Sequence, residues 1–267
     1  VPGLPAPVSH VHGRFGLIPE AVRLDNVEFT LLGGSGQCTG QVALSPNVEL
    51  DLAMRFNRLR WPLGSGLNPV LAGTARLVGP LSNLSLTGDA TLQRTLYTRP
   101  LDLQRLIIEG VLAPVRARAV DSAPVAFNLG VEVPGTLELR TDLARLVARG
   151  DLRVVGTSAE PGVLGSLEAL PGGELEASGI RYELVRGQVS FTDPQAIRPF
   201  LDILARTTIQ GFEITVGLVG TLDRMTPSFT SNPPLPQWDI ISLVSMGKRA
   251  DEAGSAQAGT VASSFLT

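Results

Sequence analysis

Along much of the chain, apolar and polar residues alternate one for one. Val48, Leu50, Leu52, Met54 and Phe56 are interleaved with Glu49, Asp51, Ala53 and Arg55. Leu84, Leu86, Ala90 and Leu92 alternate with Ser85, Thr87, Asp89 and Thr91, while Val125, Phe127, Leu129, Val131 and Val133 face away from Asn128 and Glu132. The same period returns at 150–155, 174–178, 180–184, 188–191 and 213–218. Successive side chains of an extended strand point to opposite faces, so the pattern predicts strands with one apolar and one wetted face. An antiparallel or meandering sheet accommodates that alternation.

Turn clusters separate these segments, among them Gly33-Gly34-Ser35-Gly36, Ser45-Pro46-Asn47, Pro80-Leu81-Ser82-Asn83 and Pro171-Gly172-Gly173. Short strands between frequent turns indicate an all-β architecture. A degenerate repeat sets glycines (Gly40, Gly73, Gly88, Gly110 and Gly150) against strands of alternating aliphatics, at a drifting spacing. Helical signals are few. Residues 194–204 predict a short helical turn, interrupted by Pro199, that leads into a strand. Gln237–Met246 predicts the best helix: it follows Pro233-Pro234-Leu235-Pro236, carries Asp239 in its first turn and stops at Gly247. Trp238, Ile241, Val244 and Ser245 would share one of its faces.

Composition narrows the classes. With 29 Gly and 20 Pro in 267 residues, a helical bundle is disfavoured, because both residue types penalise helix interiors. A charged fraction of 18% and a net charge of −3 argue against disorder. Mean hydropathy is +0.20, yet no apolar run approaches the roughly 20 residues of a membrane-spanning helix. The 22 basic and 25 acidic residues are interspersed, without the basic stripe that nucleic-acid binding needs. Cys38 is the single cysteine, which excludes an intramolecular disulfide and a multi-cysteine zinc site. The chain reads as a segment of a longer protein, running from Val1 to Thr267.

Candidate chemistry is sparse. His10 and His12 would share a strand face, but no cysteine or carboxylate cluster nearby completes a metal site. There is no G-x-S-x-G elbow. The glycines at 33–36 lead into a strand rather than a helix N-terminus, and Gly247-Lys248 lacks the remainder of a phosphate-binding loop, so nucleotide hydrolysis is excluded. A carbohydrate-active enzyme would need two convergent carboxylates beside an aromatic. Aromatic residues are only 5% of the chain, and the carboxylates sit mostly in the polar phase of strands. The expectation is a protein that is not an enzyme and has no cofactor and no metal.

The last hundred or so residues carry more specific pieces. Gly179 and Tyr182 precede Gly187-Gln188-Val189-Ser190-Phe191; Pro199-Phe200-Leu201-Asp202-Ile203 follows, then Gly220. Ser231 to Pro236, including Pro234, and Asp239-Ile240-Ile241-Ser242 close the series at Gly247. In order and spacing this stretch resembles the C-terminal region of the TamB translocation and assembly module family, a branch of the AsmA-like envelope proteins. The glycine-strand repeats upstream are similar to that family's degenerate body.

The resemblance implies a long sheet curled lengthwise, the β-taco, antiparallel or mixed, with an aliphatic-lined open groove and a short C-terminal helix. It implies a periplasmic protein anchored in the inner membrane of a diderm bacterium, engaged in phospholipid traffic toward the outer membrane. It also implies outer-membrane protein assembly with an Omp85-type, TamA-like partner, and a further strand-rich segment beyond Thr267. The corresponding division is a β-repeat body at 1–120, the family-typical region at 121–236, a helix at 237–247 and a flexible tail at 248–267.

Physical chemistry favours the same function. A sheet with one aliphatic face must cover it with something. A second sheet would make a sandwich, and the same residues would then be plain core. An open trough would instead hold phospholipid acyl chains, at roughly 0.8 kcal/mol per buried methylene. The gain inside a bilayer is similar, so transfer is nearly level and needs no nucleotide. The expected lining comprises Leu52, Met54, Leu86, Phe127, Leu129, Val131, Leu152, Val154, Leu184, Val189, Ile214 and Val216. About 16 strands at roughly 4.8 Å each would span on the order of 75 Å.

Overall fold

The computed structural model describes residues 8–44, 46–61, 68–98 and 124–246. Fifteen strands among them form one sheet. In chain order they are β1 (Ser9–Ile18), β2 (Ala21–Leu31), β3 (Gly34–Ala43), β4 (Glu49–Arg60), β5 (Val70–Pro80), β6 (Ser85–Leu92), β7 (Thr95–Tyr97) and β8 (Ala126–Arg140). Then follow β9 (Ala144–Thr157), β10 (Pro161–Ala169), β11 (Glu174–Ala177), β12 (Ile180–Phe191), β13 (Pro199–Ile209), β14 (Phe212–Thr221) and β15 (Arg224–Asn232). One helix, α1 (Gln237–Met246), closes the described chain. The expected tail at 248–267, Gly247 and Gly110 lie outside the described residues.

Neighbouring strands pair antiparallel throughout, except that β8 takes both β6 and β7 as parallel partners. The sheet is therefore mixed, curled and open: β1 and β15 are its two edges and do not pair with each other. Both body segments, 1–120 and 121–236, contribute to this one sheet. The path across it is thirteen strands wide, which gives about 58 Å at roughly 4.8 Å per interval. That is shorter than the 16-strand expectation because strands share places. β6 and β7 lie end to end against β8, and β10 and β11 lie end to end between β9 and β12.

The curl has local causes in the middle of the strands. Irregularities in register interrupt β2 between Leu24 and Val27, β4 between Phe56 and Leu59, β8 between Val133 and Leu137, and β12 between Leu184 and Arg186. An extra residue bends a strand and sharpens its twist. Glycines add to the bend. Gly88 in β6 has φ +154° and Gly150 in β9 has φ +151°. A Cβ at either position would stand 2.2 Å from the Thr74 carbonyl oxygen or 2.1 Å from that of Ser166. Only glycine allows the backbone of the next strand so near, which gives the drifting glycine repeat its physical meaning. These bulges and glycines fall within the strands, so the bend they impose is shared from strand to strand across the sheet.

Two sequence expectations are corrected. The segment 194–204 is not helical: Pro199 heads β13, where a strand tolerates proline because its first residue need not donate to the ladder. The separate strands expected at 180–184 and 188–191 are one strand, β12, with a bulge between them.

Candidate functional site

The register places apolar residues opposite apolar residues over most of the width of the sheet. Leu52 faces Leu77, Leu77 faces Leu86, and Leu86 faces Phe127. In the adjoining row Met54 lies between Cys38 and Ala75. Leu129 faces Val154, which faces Val163, and Val131 faces Leu152. Val189 lies between Leu167 and Leu201. Leu184 faces Ala205, Ala205 faces Val216, and Ile214 faces Thr207. All twelve expected lining residues thus share one face. Residues at bulges aside, no charged side chain of the described strands shares it.

The charges occupy the other face, where many are paired. Arg76 donates from Nε and Nη2 to the two carboxylate oxygens of Asp51, at 2.8 and 2.9 Å. Arg186 donates to Asp202 at 2.9 Å, Arg206 to Glu183 at 3.1 Å, and Arg149 binds Glu168 directly across β9 and β10. The Arg76 hydrogen bond holds the Asp51 carboxyl below its ordinary range, and the Glu183 hydrogen bond raises the Arg206 guanidinium. Exposed pairs of this kind add little stability each, because solvent screens them. They keep one side of the sheet firmly in water.

Burial separates this arrangement from a sandwich. Ten of the twelve lining residues are only half-buried; Leu184 and Ile214 are buried. Ile214, Leu243 and Val244 are the largest fully buried side chains among the described residues. Two mated sheets would enclose a row of such side chains along their length. Here they gather where α1 lies on β14. Ile214 is enclosed by Ile240, Leu243 and Val244, with Val216, Phe229 and Leu235 packed around them. The predicted helical face is corrected in consequence. Ile240, Leu243 and Val244 point inward, whereas Trp238 is 61% exposed.

The motif residues mostly build this end of the sheet. Gly187, opposite Ile203, leaves a Cβ little room beside Leu184 and Ala169. Phe191 and Pro199 are buried opposite each other, and Asp202 takes the Arg186 ion pair on the wetted face. Gly220 lies between Leu201 and Met225. Pro234 belongs to the connector into α1, and the Pro236 carbonyl accepts from the amides of Asp239 and Ile240 at 3.0 and 3.2 Å. Leu77 and Leu167 belong to the same apolar rows and were not among the expected lining residues; their alternation phase is the signal that finds them. His12 hydrogen-bonds Glu28 through Nε2 at 2.9 Å, while His10 bonds Ser9. No group of three or more metal-binding side chains exists among the described residues.

Fold and face together define an open, curled β-sheet protein with one uncharged apolar face. The family model for the TamB C-terminal domain matches residues 26–267, and the chain belongs to that family. That membership makes it a segment of a periplasmic, envelope-associated protein. No curated protein matched the chain. No helix of the described residues is long and apolar enough to cross a membrane.

Proposed function

We propose that this chain is a length of conduit that holds phospholipid acyl chains in its hollow and lets them slide toward the outer membrane. The observation that carries the reading is the uncharged apolar face, left partly accessible over most of its width. Acyl chains there gain about what they gain in a bilayer, roughly 0.8 kcal/mol per methylene relative to water. Few polar groups line the hollow, so little would arrest a head group, which stays in water at the open side. No catalytic step is involved, and the full-length protein is anchored in the inner membrane.

The test is native mass spectrometry of the purified protein, with photo-crosslinking to an acyl-labelled phosphatidylethanolamine. Lipid should co-purify, and Leu129→Glu or Val154→Glu should cut crosslinking at least about tenfold while the fold persists, since a buried charge is costly in a filled hollow and tolerable in an empty, wetted one. A lipid-free protein that also ignores added lipid would refute the reading.

A second reading has its own observation. β1 and β15, the two ends of the sheet, each pair with a single strand, so the outer edge of each has no strand partner among the described residues. An exposed edge can add a client strand through main-chain hydrogen bonds. Such a scaffold would present strands for outer-membrane protein assembly with an Omp85-type, TamA-like partner. Crosslinks from β15 to barrel strands, with none from the hollow to lipid, would select it.

A further inference from the structure

Among the described residues, α1 is the one element outside the sheet that packs on its apolar face. It lies at the β14–β15 end, where Ile240, Leu243 and Val244 cover Ile214. These are the side chains of a hydrocarbon plug: branched, uncharged, and seated on the rows that continue from the open part of the hollow through Ala205 and Val216. Lipid lying along those rows and α1 cannot occupy the last two strands together.

Three features bear on how the helix, whose Leu243 and Val244 are fully buried, could leave its seat. It has only ten residues, too few to persist in water without its docking surface. It hangs from the proline-rich connector 233–236, whose Leu235 amide donates to Ser231 Oγ at 2.9 Å. Most telling, Ser242 is buried at 6% exposure, and its Oγ has no hydrogen-bond partner among the described residues. A buried orphan hydroxyl penalises the docked state and is relieved when water reaches it. Trp238, the largest side chain of α1, meanwhile stays in solvent.

We infer that α1 is a displaceable end-plug, which fills the last strands of the hollow in place of an acyl chain and must lift before lipid can leave across β15. This rests on the conduit reading above and adds its regulation. Occupancy of the upstream hollow and release at the end are separate quantities, set by separate residues. Ser242 tunes the plug through the hydroxyl it leaves unsatisfied, and Leu243 holds it down.

The experiment loads the full chain from vesicles of equal parts phosphatidylethanolamine and phosphatidylglycerol containing a fluorescent phosphatidylethanolamine. It counts bound lipid by native mass spectrometry and follows release to label-free acceptor vesicles. Ser242→Ala should slow release about fivefold, because the docked state loses its unsatisfied group. Leu243→Ala should speed release at least about tenfold, because it empties a fully buried site. Bound lipid per chain should equal wild type in both. Equal release rates in all three proteins, with lipid bound, would overturn the plug and leave the conduit standing. A wild-type chain that binds no lipid would overturn the conduit, and the plug with it. Ser242→Ala removes one atom and keeps the test decisive if Leu243→Ala fails to fold.

Discussion

The outer end of the Phe29 ring reaches over Gly36 on the neighbouring strand, so close that a Cβ at position 36 would stand 2.3 Å from Cζ of the ring. The two residues are directly paired in register. An aromatic ring laid over a cross-strand glycine restores the apolar surface that the missing side chain removes. Gly36→Val should force the ring off its seat and lower stability by about 1–3 kcal/mol, the usual cost of overpacking. Phe29→Leu in the same chain should recover much of that loss, as expected for residues in contact. Urea denaturation of the two single variants and the double variant measures the coupling. Additive losses would refute the stacking.

Asp51 and Arg76 tie β4 to β5 on the wetted face. In the folded chain the Arg76 hydrogen bond holds the Asp51 pKa below the ordinary aspartate value of 3.8. A depressed carboxyl stabilises the fold above its unfolded pKa, and that contribution is lost as pH falls through the folded value. Asp51→Asn should therefore be less stable than wild type at neutral pH. The difference should close as the solution is acidified below about 3.8. Thermal melts of both proteins across that window test it, and a gap that persists in acid would contradict it.

The single strands of this fold were legible wherever alternation kept its phase, as in Leu50, Leu52, Met54 and Phe56 of β4. What failed was continuity. In β12 the inward residues are Leu184, then Gly187 and Val189, so the phase slips by one at a bulge and one strand looks like two. β13 carries Phe200 and Leu204 on its outer face as well as Leu201 and Ile203 on its inner one, and apolar residues on both faces erase the period of two. The parallel pairing of β6 with β8 has no local signature, because a crossover is set by what happens between strands. Along the site, the apolar phase identified the face, but no local pattern could report that a helix some twenty residues downstream would cover Ile214. That is a tertiary contact, and the inward helical face followed the sheet rather than the Trp238 stripe.

Cys38 offers a reporter that needs no engineering. It sits on the apolar face opposite Met54 and Val27, is 6% exposed, and burial pushes its thiol pKa up. Only the thiolate attacks maleimides and disulfides, so both burial and protonation slow the reaction. At neutral pH, labelling of the native chain should be at least about tenfold slower than in denaturant. Lipid loading should slow it further if acyl chains pass over β3 and β4. Native labelling as fast as that of the unfolded chain would place the thiol elsewhere.

Leu77 and Val78 are adjacent in β5 and point to opposite sides. Leu77 lies in the row between Leu52 and Leu86, whereas Val78, 39% exposed, faces Asp51 and Ser85 on the wetted side. Aspartate at either place carries the same charge and the same poor strand propensity, so intrinsic effects cancel in the comparison. Val78→Asp adds a charge where water already reaches and should leave binding of an apolar fluorescent probe such as phenylnaphthylamine near wild type. Leu77→Asp puts the charge into the hollow and should weaken that binding at least about tenfold, since an unpaired carboxylate resists desolvation by a ligand. Because Leu77 is only half-buried, the lost packing should cost less than the roughly 2–5 kcal/mol of a fully buried leucine, so the chain should remain folded. Probe titration and circular dichroism on the two variants separate the faces, and equal probe binding by both would mean that the hollow is not where apolar ligands lodge.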